Sequence, residues 1–355
     1  MFSAQGEAML FEGLDRIRQG QARWLDLLGY GPQPAESWVV AELPGMRLRA
    51  FGAGEGAGPP ILLIPAPIKR ACIFDLMPRA SVARRCRDAG RPVFLVEWTD
   101  PSGLTADHGL ADYADRLLSE ARQAASIPSG RERAVLIGHS LGGTMAAIHA
   151  ARRPEGVAAL VLLESPLIFD PSIDAFAPWL RTPPAARRLL AGAGTVPGSE
   201  LSLAAVAAAP EVFLWHRWGD AFASFSEPER HDLHLRVMRW ALDELALPAP
   251  LLRDVLERLY RENRLRDGRL EISGRAVGLS DIVAPIMAVV ESQSRVVPRQ
   301  DVLPALERTS SLRRDWLTYD SEPGVALAHV GVLVGPDAHR GLWPRLLDWI
   351  AEVAG

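Results

Sequence analysis

A serine flanked by glycines stands where an apolar run of this chain meets a run of small residues. Residues 135–147 read VLIGHSLGGTMAA, so Ser140 lies two residues after Gly138 and two before Gly142. A G-x-S-x-G sequence permits a tight strand-to-helix turn that exposes the serine hydroxyl, because the glycines let chain segments pass without a Cβ clash. The apolar residues before it predict a strand and the small residues after it predict a helix. This spacing therefore predicts a nucleophilic serine in a chain that alternates strands and helices.

The same alternation extends to both sides of Ser140. Short apolar runs predict strands at residues 59–67, 91–98, 133–138, 157–165 and 284–291. The alternating stretches at 37–43 and 46–52 and the segment at 315–321 also have strand character. Amphipathic stretches predict helices at residues 81–90, 111–125, 143–154 and 341–355. Unbroken apolar strands that alternate with helices indicate an α/β fold, with a mostly parallel central sheet covered by helices on both faces. The first two strands, joined by Pro44-Gly45, are predicted to form an antiparallel pair at its edge.

The pattern changes after Pro166. Up to about residue 280 the chain is rich in Pro, Ala, Leu and Trp, with helical periodicity and no clear series of buried strands. We interpret residues 166–280 as an inserted, mainly helical cap, and residues 1–165 and 281–355 as the core. The cap tryptophans are expected to pack in its interior; they are Trp179, Trp215, Trp218 and Trp240.

Composition excludes several other classes of protein. A formal charge of −4, without a long run of like charges, argues against a nucleic-acid surface. Cys72 and Cys86 form no C-x-x-C pair and no Cys/His cluster, so both are expected to pack, and we expect no metal or cofactor. Glu7, Glu12 and Asp15 interrupt the first apolar stretch, which is unlike a signal peptide, and no window is apolar enough to span a membrane. We therefore expect a cytoplasmic protein.

The general base is predicted from chain order. Enzymes with this serine turn carry the acid and then the histidine after the serine. Only His329 and His339 come late enough among the eight histidines. His329 follows a predicted strand, in a loop that leads into an apolar segment, whereas His339 stands beside the helix-cap candidate Asp337 and is expected at the surface. His329 is therefore the predicted base.

Two backbone N–H groups are predicted to stabilise an oxyanion. The first belongs to Leu141, at the positive end of the helix that follows Ser140. The second is expected from the loop after the strand at residues 59–67, where Pro67 has no N–H and Ile68 is the better candidate.

The acid that should orient the histidine is missing from its usual place. It is expected in the loop after the strand at residues 284–291, a few residues before a Val-Pro step, and that slot holds Ser294. A serine carries no negative charge to stabilise an imidazolium. Glu291, at the end of that strand, and Glu164, at the end of the strand after the nucleophile helix, are equally good replacements; Asp281 and Asp301 rank behind them.

From about residue 59 to 343 the chain resembles the polyhydroxyalkanoate (PHA) synthases. The segments that carry the resemblance follow one another in the family's order: ILLIPAPIKRACIFDL, RPVFLVEWTDPSG, LADYAD, LYRENRLRDGRLEISGRAVGLSDIVAP and AHVGVLVGP. The resemblance implies an α/β-hydrolase fold, an acyl ester or acyl-coenzyme A substrate, and His329 as the catalytic histidine. The short N-terminal part resembles the shorter synthase subunits, which act with a partner protein. This resemblance to the synthases implies a homodimer or a helper subunit, and association with PHA granules.

Two departures from the family bear directly on the chemistry. The synthases attack hydroxyacyl-coenzyme A with a cysteine where this chain has Ser140, and they carry an aspartate where it has Ser294. A thiol suits repeated chain transfer, whereas serine forms an oxygen ester that water commonly hydrolyses. We therefore expect a Ser-His-acid hydrolase or thioesterase on (hydroxy)acyl substrates. The alternatives are a genuine synthase that polymerises 3-hydroxyacyl-coenzyme A, or a degenerate, non-catalytic paralogue that binds granules or a partner.

Overall fold

The apolar runs form one eight-stranded sheet at the centre of the molecule. The computed structural model describes residues 4–52, 56, 58–169 and 194–355. The strands of the sheet are β1 (Ser37–Leu43), β2 (Met46–Phe51), β3 (Ile61–Ile64), β6 (Val93–Trp98), β7 (Ala134–His139), β8 (Val157–Leu163), β13 (Ile286–Glu291) and β14 (Arg314–Tyr319). Short strands pair outside it: β4 (Asp75–Met77) with β5 (Ala80–Ser81), β9 (Thr195–Val196) with β10 (Leu247–Pro248), and β11 (Leu270–Ile272) with β12 (Arg275–Val277).

The order of strands across the sheet is β1-β2-β6-β3-β7-β8-β13-β14. β2 runs antiparallel to both β1 and β6, as the Pro44-Gly45 turn predicts, and every other neighbouring pair is parallel. β3 is shorter than the apolar run around it, because Pro59, Pro60 and Pro65 have no N–H to donate to a neighbouring strand. The parallel strands β7, β8 and β13 end at the same edge of the sheet, and so does β14.

Helices cover both faces of the sheet. The α-helices of the described residues are α1 (Ala4–Leu25), α2 (Val82–Asp88), α3 (Leu118–Ser129), α4 (Leu141–Arg152), α5 (Gly198–Ala208), α6 (His216–Ser224), α7 (Pro228–Ala241), α8 (Ala249–Asp254), α9 (Arg299–Glu307), α10 (Ala328–Val334) and α11 (Trp343–Ala354). Wider, π-helical turns precede α3, α6 and α11 and follow α1 and α8.

The core forms as two layers because consecutive strand residues point to opposite faces. On β3, Leu62 and Ile64 join a buried cluster that includes residues of α4, while Ile61 and Leu63 join the cluster that includes residues of α2, α10 and α11. All four side chains are fully buried. Burial on both faces accounts for the unbroken apolar character of the strand.

The chain between β8 and β13 is mainly helical in the residues the structure describes. Residues 170–193, with Trp179, lie outside them, as does the side chain of Trp215. Helix α1 packs against α5 and α7 of this segment, and Asp15 accepts a hydrogen bond from the Ser199 N–H (2.7 Å). Among the described residues, no helix is both long and apolar enough to cross a membrane.

Candidate active site

Ser140 occupies a strained turn between β7 and α4. Its φ of 56° and ψ of −132° lie where L-residues are rarely found, which is the backbone geometry expected of an exposed nucleophile. Its N–H donates to the Leu163 carbonyl (3.0 Å), and its own carbonyl accepts from the Gly143 (2.9 Å) and Thr144 (3.2 Å) N–H groups. These bonds fasten the turn both to the end of β8 and to the first turn of the helix.

Glycines are required around this turn because backbones cross there. A Cβ on Gly138 would come within 3.0 Å of the Gly143 backbone, and a Cβ on Gly142 would come equally close to the Ile64 and Pro65 carbonyls. The loop that follows β3 therefore lies directly against the start of α4. This close approach explains the glycine spacing read in the sequence.

His329 lies in the first turn of α10, which follows the loop after β14. The His139 ring, next to the serine, contacts it, with ring centroids 4.7 Å apart. Burial lowers the pKa of His139 to about 3, so its neutral Nε2–H donates to the His329 carbonyl (2.9 Å). The G-x-S-x-G pattern predicts no role for His139, because any residue can stand at that position of the pattern.

Of the two main candidate acids, Glu164 is the one whose carboxylate faces the His329 imidazole. Its Oε2 is 3.5 Å from Nδ1, and the Glu164 side chain is completely buried. Glu164 directly follows β8 and has a φ of 47°, and its N–H donates to the Val289 carbonyl (2.9 Å). This strained backbone turns the side chain across the ends of β8 and β13, towards the histidine.

Glu291, the other candidate acid, supports Glu164 instead of facing the histidine. Its backbone N–H donates to Glu164 Oε1, while its own Oε2 accepts from the Gln293 N–H (3.0 Å). Ser294, which occupies the usual acid slot, donates its hydroxyl to Glu164 Oε2 (2.8 Å) and accepts from the Val297 N–H (3.1 Å). Ser294, at the position where the acid is usually found, thus donates a hydrogen bond to the Glu164 carboxylate.

Burial sets the protonation of this pair. It lowers the pKa of His329 to about 4, so the imidazole is neutral near pH 7 and can accept a proton. It raises the pKa of Glu164 to about 7, against the opposing effect of the hydrogen bonds from the Glu291 N–H and the Ser294 hydroxyl. Burial, and then the nearby Glu164 charge, also raise the pKa of Glu291. Above about pH 7, where Glu164 is mostly ionised, a charge forming on His329 would therefore appear beside a buried carboxylate.

Both predicted oxyanion donors border the cavity into which Ser140 opens. Leu141 is the first residue of α4, so its N–H has no acceptor within the helix. The Ile68 carbonyl accepts from the Leu245 N–H (3.2 Å), which ties the loop after β3 to the helical segment. Ala66 also lines the cavity. Among residues 65–68 it is the other residue with a backbone N–H, since Pro65 and Pro67 have none.

The cavity at Ser140 is mainly apolar and has a volume of about 260 Å³. One part is bordered by the polar side chains Lys69, Arg70 and Glu244. Apolar residues line the remainder; they include Leu201, Ala205, Val206, Phe213, Leu252, Leu256, Tyr260 and Val296. Both Ser140 and His329 border this space, so an acyl chain could lie along the apolar walls with its carbonyl at the serine.

One interpretation of the sequence is wrong. His339 was expected at the surface, but it is 3% exposed. Its Nε2 donates to the Leu333 carbonyl (2.9 Å), and its Nδ1 accepts from Arg85 Nε (3.1 Å). The residue lies in a helical turn that packs under α10, and this packing is not visible in the local sequence.

The lower-ranked acids lie in other surroundings. Asp281 Oδ2 accepts a hydrogen bond from Gly278 in its own turn (2.8 Å), and Asp301 lies buried on α9. Burial raises the pKa of both the Cys72 and Cys86 thiols to about 12, so neither is activated as a thiolate near neutral pH.

The chain matches the model of a known protein family. The alpha/beta hydrolase fold family matches residues 109–322, more than half of the chain. The chain belongs to the alpha/beta hydrolase family. The match includes Ser140 and Glu164 and ends before His329. It identifies this protein as an enzyme of the hydrolase or acyltransferase type.

Relatives among curated proteins add a narrower similarity. The chain is 27% identical over 294 residues to the poly(3-hydroxyalkanoate) polymerase subunit PhaC of Haloferax mediterranei, covering 82% of this chain and 58% of that one. For the same subunit of Haloarcula marismortui the identity is 26%, over 82% and 61% of the two chains. For that of Allochromatium vinosum it is 24%, over 86% and 84%. This alpha/beta hydrolase is therefore PHA synthase-like, and it spans about three fifths of the length of the two haloarchaeal relatives.

Solved structures show the same fold. A monoacylglycerol lipase from Paleococcus ferrophilus aligns with a TM-score of 0.54 at 14% identity, over 87% of this chain and 99% of that one. A carboxylesterase from Nitrososphaera gargenis aligns with a TM-score of 0.53 at 14% identity, over 90% and 98%.

Proposed function

We propose that this PHA synthase-like alpha/beta hydrolase is a serine hydrolase or thioesterase acting on (hydroxy)acyl esters or thioesters. The observation that carries the proposal is the joint placement of Ser140 and His329 on one apolar cavity, with the buried Glu164 carboxylate 3.5 Å from His329 Nδ1. With Nδ1 directed to Glu164, His329 has Nε2 available for the serine proton. A Ser-His-acid mechanism needs an acid beside one imidazole nitrogen and the nucleophile on the side of the other, and these placements support it.

In this mechanism the Ser140 hydroxyl attacks the substrate carbonyl carbon while His329 takes its proton. The resulting oxyanion is stabilised by the Leu141 and Ile68 N–H groups, and the imidazolium by Glu164. The intermediate then expels the alcohol or thiol, which receives the proton from His329. Water, activated by the same histidine, hydrolyses the acyl-serine ester and regenerates the hydroxyl.

Hydrolysis is favoured over polymer growth because the nucleophile is oxygen. An acyl-serine is an ordinary ester, whereas transfer between thioesters makes use of a sulfur that is both a good nucleophile and a good leaving group. Polymerisation of 3-hydroxyacyl-coenzyme A is the second candidate, favoured by the similarity to polymerase subunits.

A comparison of wild type with Ser140→Ala tests this function. Both proteins are incubated with p-nitrophenyl esters and acyl-coenzyme A substrates of graded length, and the products of 3-hydroxybutyryl-coenzyme A are separated by size. We expect free hydroxy acid from the wild type and loss of turnover in Ser140→Ala. Polymer as the main product would establish the second candidate, and a wild type that neither turns over nor reacts with a fluorophosphonate would exclude both.

The division of the chain also belongs to this proposal. We assign residues 166–280 as the cap that closes the acyl cavity over the core formed by residues 1–165 and 281–355. Leu201, Phe213 and Tyr260 of this segment line the cavity opposite the ends of the core strands. A homodimer or helper subunit, association with PHA granules and a cytoplasmic location stay predictions.

A further inference from the structure

The loop that leads to His329 has a backbone shape that needs external support. Gly324 has a φ of 97° and Ala326 a φ of 60°, and the second value is unfavourable for a residue with a Cβ. Val325 and Ala326 are both 2% exposed, and α10 begins at Ala328. A displacement of this loop would therefore move the first turn of α10, which carries His329.

One carboxylate from the inserted segment holds this loop. Asp220 Oδ1 accepts from the Gly324 N–H (2.6 Å), and Oδ2 accepts from the Ala326 N–H (2.7 Å). His234, on the neighbouring helix α7 and 4% exposed, donates from Nδ1 to Oδ2 (2.7 Å). Hydrogen bonds to a carboxylate are stronger than those between neutral groups, so these three bonds place Asp220 firmly against the loop.

The loop also packs closely on α7. A Cβ built on Gly324 would lie 2.9 Å from Arg230 Cβ, so only glycine lets the loop approach the helix this closely. Helices α6 and α7 come from the chain between β8 and β13, while His329 follows the last strand of the core sheet. The Asp220 bonds are therefore a direct connection between the proposed cap and the proposed base.

We propose that Asp220 is a positioning residue, which holds the loop at residues 324–327 so that the His329 ring stays between Glu164 and the Ser140 cavity. The expected effect on turnover rests on the proposed function. The expected effect on the loop rests only on the hydrogen bonds of Asp220 with Gly324 and Ala326. His139, from the nucleophile turn, holds the His329 carbonyl from the other side (2.9 Å). Asp220 thus provides the support that comes from the cap.

The test compares Asp220→Asn with a matched control. The amide keeps the size of the side chain but replaces one accepting oxygen by an NH₂ group that faces a backbone N–H. The control is Asp232→Asn on α7, since Asp232 pairs with Arg79 (2.8 Å) and Arg236 (3.0 Å) and contacts none of the loop residues in the described structure. For each variant, kcat and KM are measured on a p-nitrophenyl ester, with Ser140 labelling by a fluorophosphonate and amide hydrogen exchange over residues 320–330.

We expect Asp220→Asn to lower kcat by about tenfold to a hundredfold with KM almost unchanged, because a small displacement of a catalytic group costs rate and not binding. Fluorophosphonate labelling should slow in parallel, exchange in residues 320–330 should accelerate, and the control should match wild type. Faster exchange with unchanged kcat overturns the positioning role, and unchanged exchange overturns the support of the loop. If Asp220→Asn does not fold, His234→Gln, which removes the third bond, is compared instead, and unaltered kcat and exchange in that variant overturn the proposal. Failure of wild type to react with the fluorophosphonate refutes the proposed function separately, because exchange still reports on the loop.

Discussion

Replacing Glu164 by Gln removes the charge that faces His329 and keeps the size of the side chain. Glu164 Oε2 is 3.5 Å from His329 Nδ1. At an effective dielectric constant of about 20, two unit charges at this separation attract by about 5 kcal/mol. The variant loses this attraction when His329 becomes an imidazolium, so we expect kcat to fall by about three to four orders of magnitude.

The assay is ester hydrolysis at about pH 8, where a carboxyl with a pKa of about 7 is mostly ionised. Glu291→Gln is the matched control, because it keeps the backbone N–H that donates to Glu164 and lies in the same buried region. We expect it to lose less than about tenfold in kcat, since its carboxylate bonds to the Gln293 N–H and not to the imidazole. KM should change little in either variant.

A carboxylate moved to the neighbouring position provides the complementary measurement. Ser294 Oγ lies 2.8 Å from the Glu164 oxygen that faces the histidine, so an aspartate at 294 would come close to the same place. The double variant Glu164→Gln with Ser294→Asp should recover about tenfold or more of the lost rate. Wild-type kcat in Glu164→Gln would refute the assignment of this acid, and a thousandfold loss in Glu291→Gln alone would transfer the role to Glu291.

The remaining predictions concern pH and packing. In the pH profile of kcat/KM, which reports the free enzyme, the acid limb should lie near pH 7, because Glu164 must be ionised and burial raises its pKa to about 7. A limb below about pH 5 would contradict this. Gly142→Ala should lower the free energy of unfolding, measured in urea, by about 1 to 3 kcal/mol, and it should also reduce kcat. The reason is that the alanine Cβ would push the loop that carries Ile68 away from Ser140. Unchanged stability would contradict the close approach of this loop to α4. Burial lowers the pKa of His149 from 6.5 to about 4, so between these two pH values the folded state binds fewer protons than the unfolded state. The free energy of unfolding therefore falls as the pH drops from 6.5 to about 4, by up to about 1.4 kcal/mol per pH unit. His149→Gln should reduce this dependence in urea titrations at several pH values, and an identical slope would contradict the burial effect.

Much of the fold could be predicted because its signals are local. The central strands of the parallel sheet are short apolar runs, and the Pro44-Gly45 turn between two alternating strands predicts the antiparallel edge. The helix after Ser140 begins earlier than its small residues suggest, at Leu141, because Ser140 itself forms the boundary between strand and helix. The spacing of Gly138 and Gly142 indicates that backbone segments approach closely at this turn, although it does not tell which segments they are.

The environment of each histidine was harder to predict. His329 and His339 both lie late in the chain, and sequence order alone admits either as the base. His339 is buried because a helical turn packs under α10, and it bonds to the Leu333 carbonyl and to Arg85, far from it in sequence. Such contacts depend on how distant segments meet, and no local pattern reports them.

The alternating fold, the serine turn and the resemblance to PHA synthases can all be read from the amino-acid sequence, since each follows from the order of residues along short segments. It narrowed the acid to two carboxylates at the ends of strands that proved to be neighbours, β8 and β13. That Glu164 turns towards His329 while Glu291 turns to its own loop, and that Asp220 holds the loop before the histidine, follows from the tertiary structure. The contacts of Glu164 with His329 and of Asp220 with Gly324 and Ala326 join residues more than a hundred positions apart, so they depend on strand register and on the path of the loops.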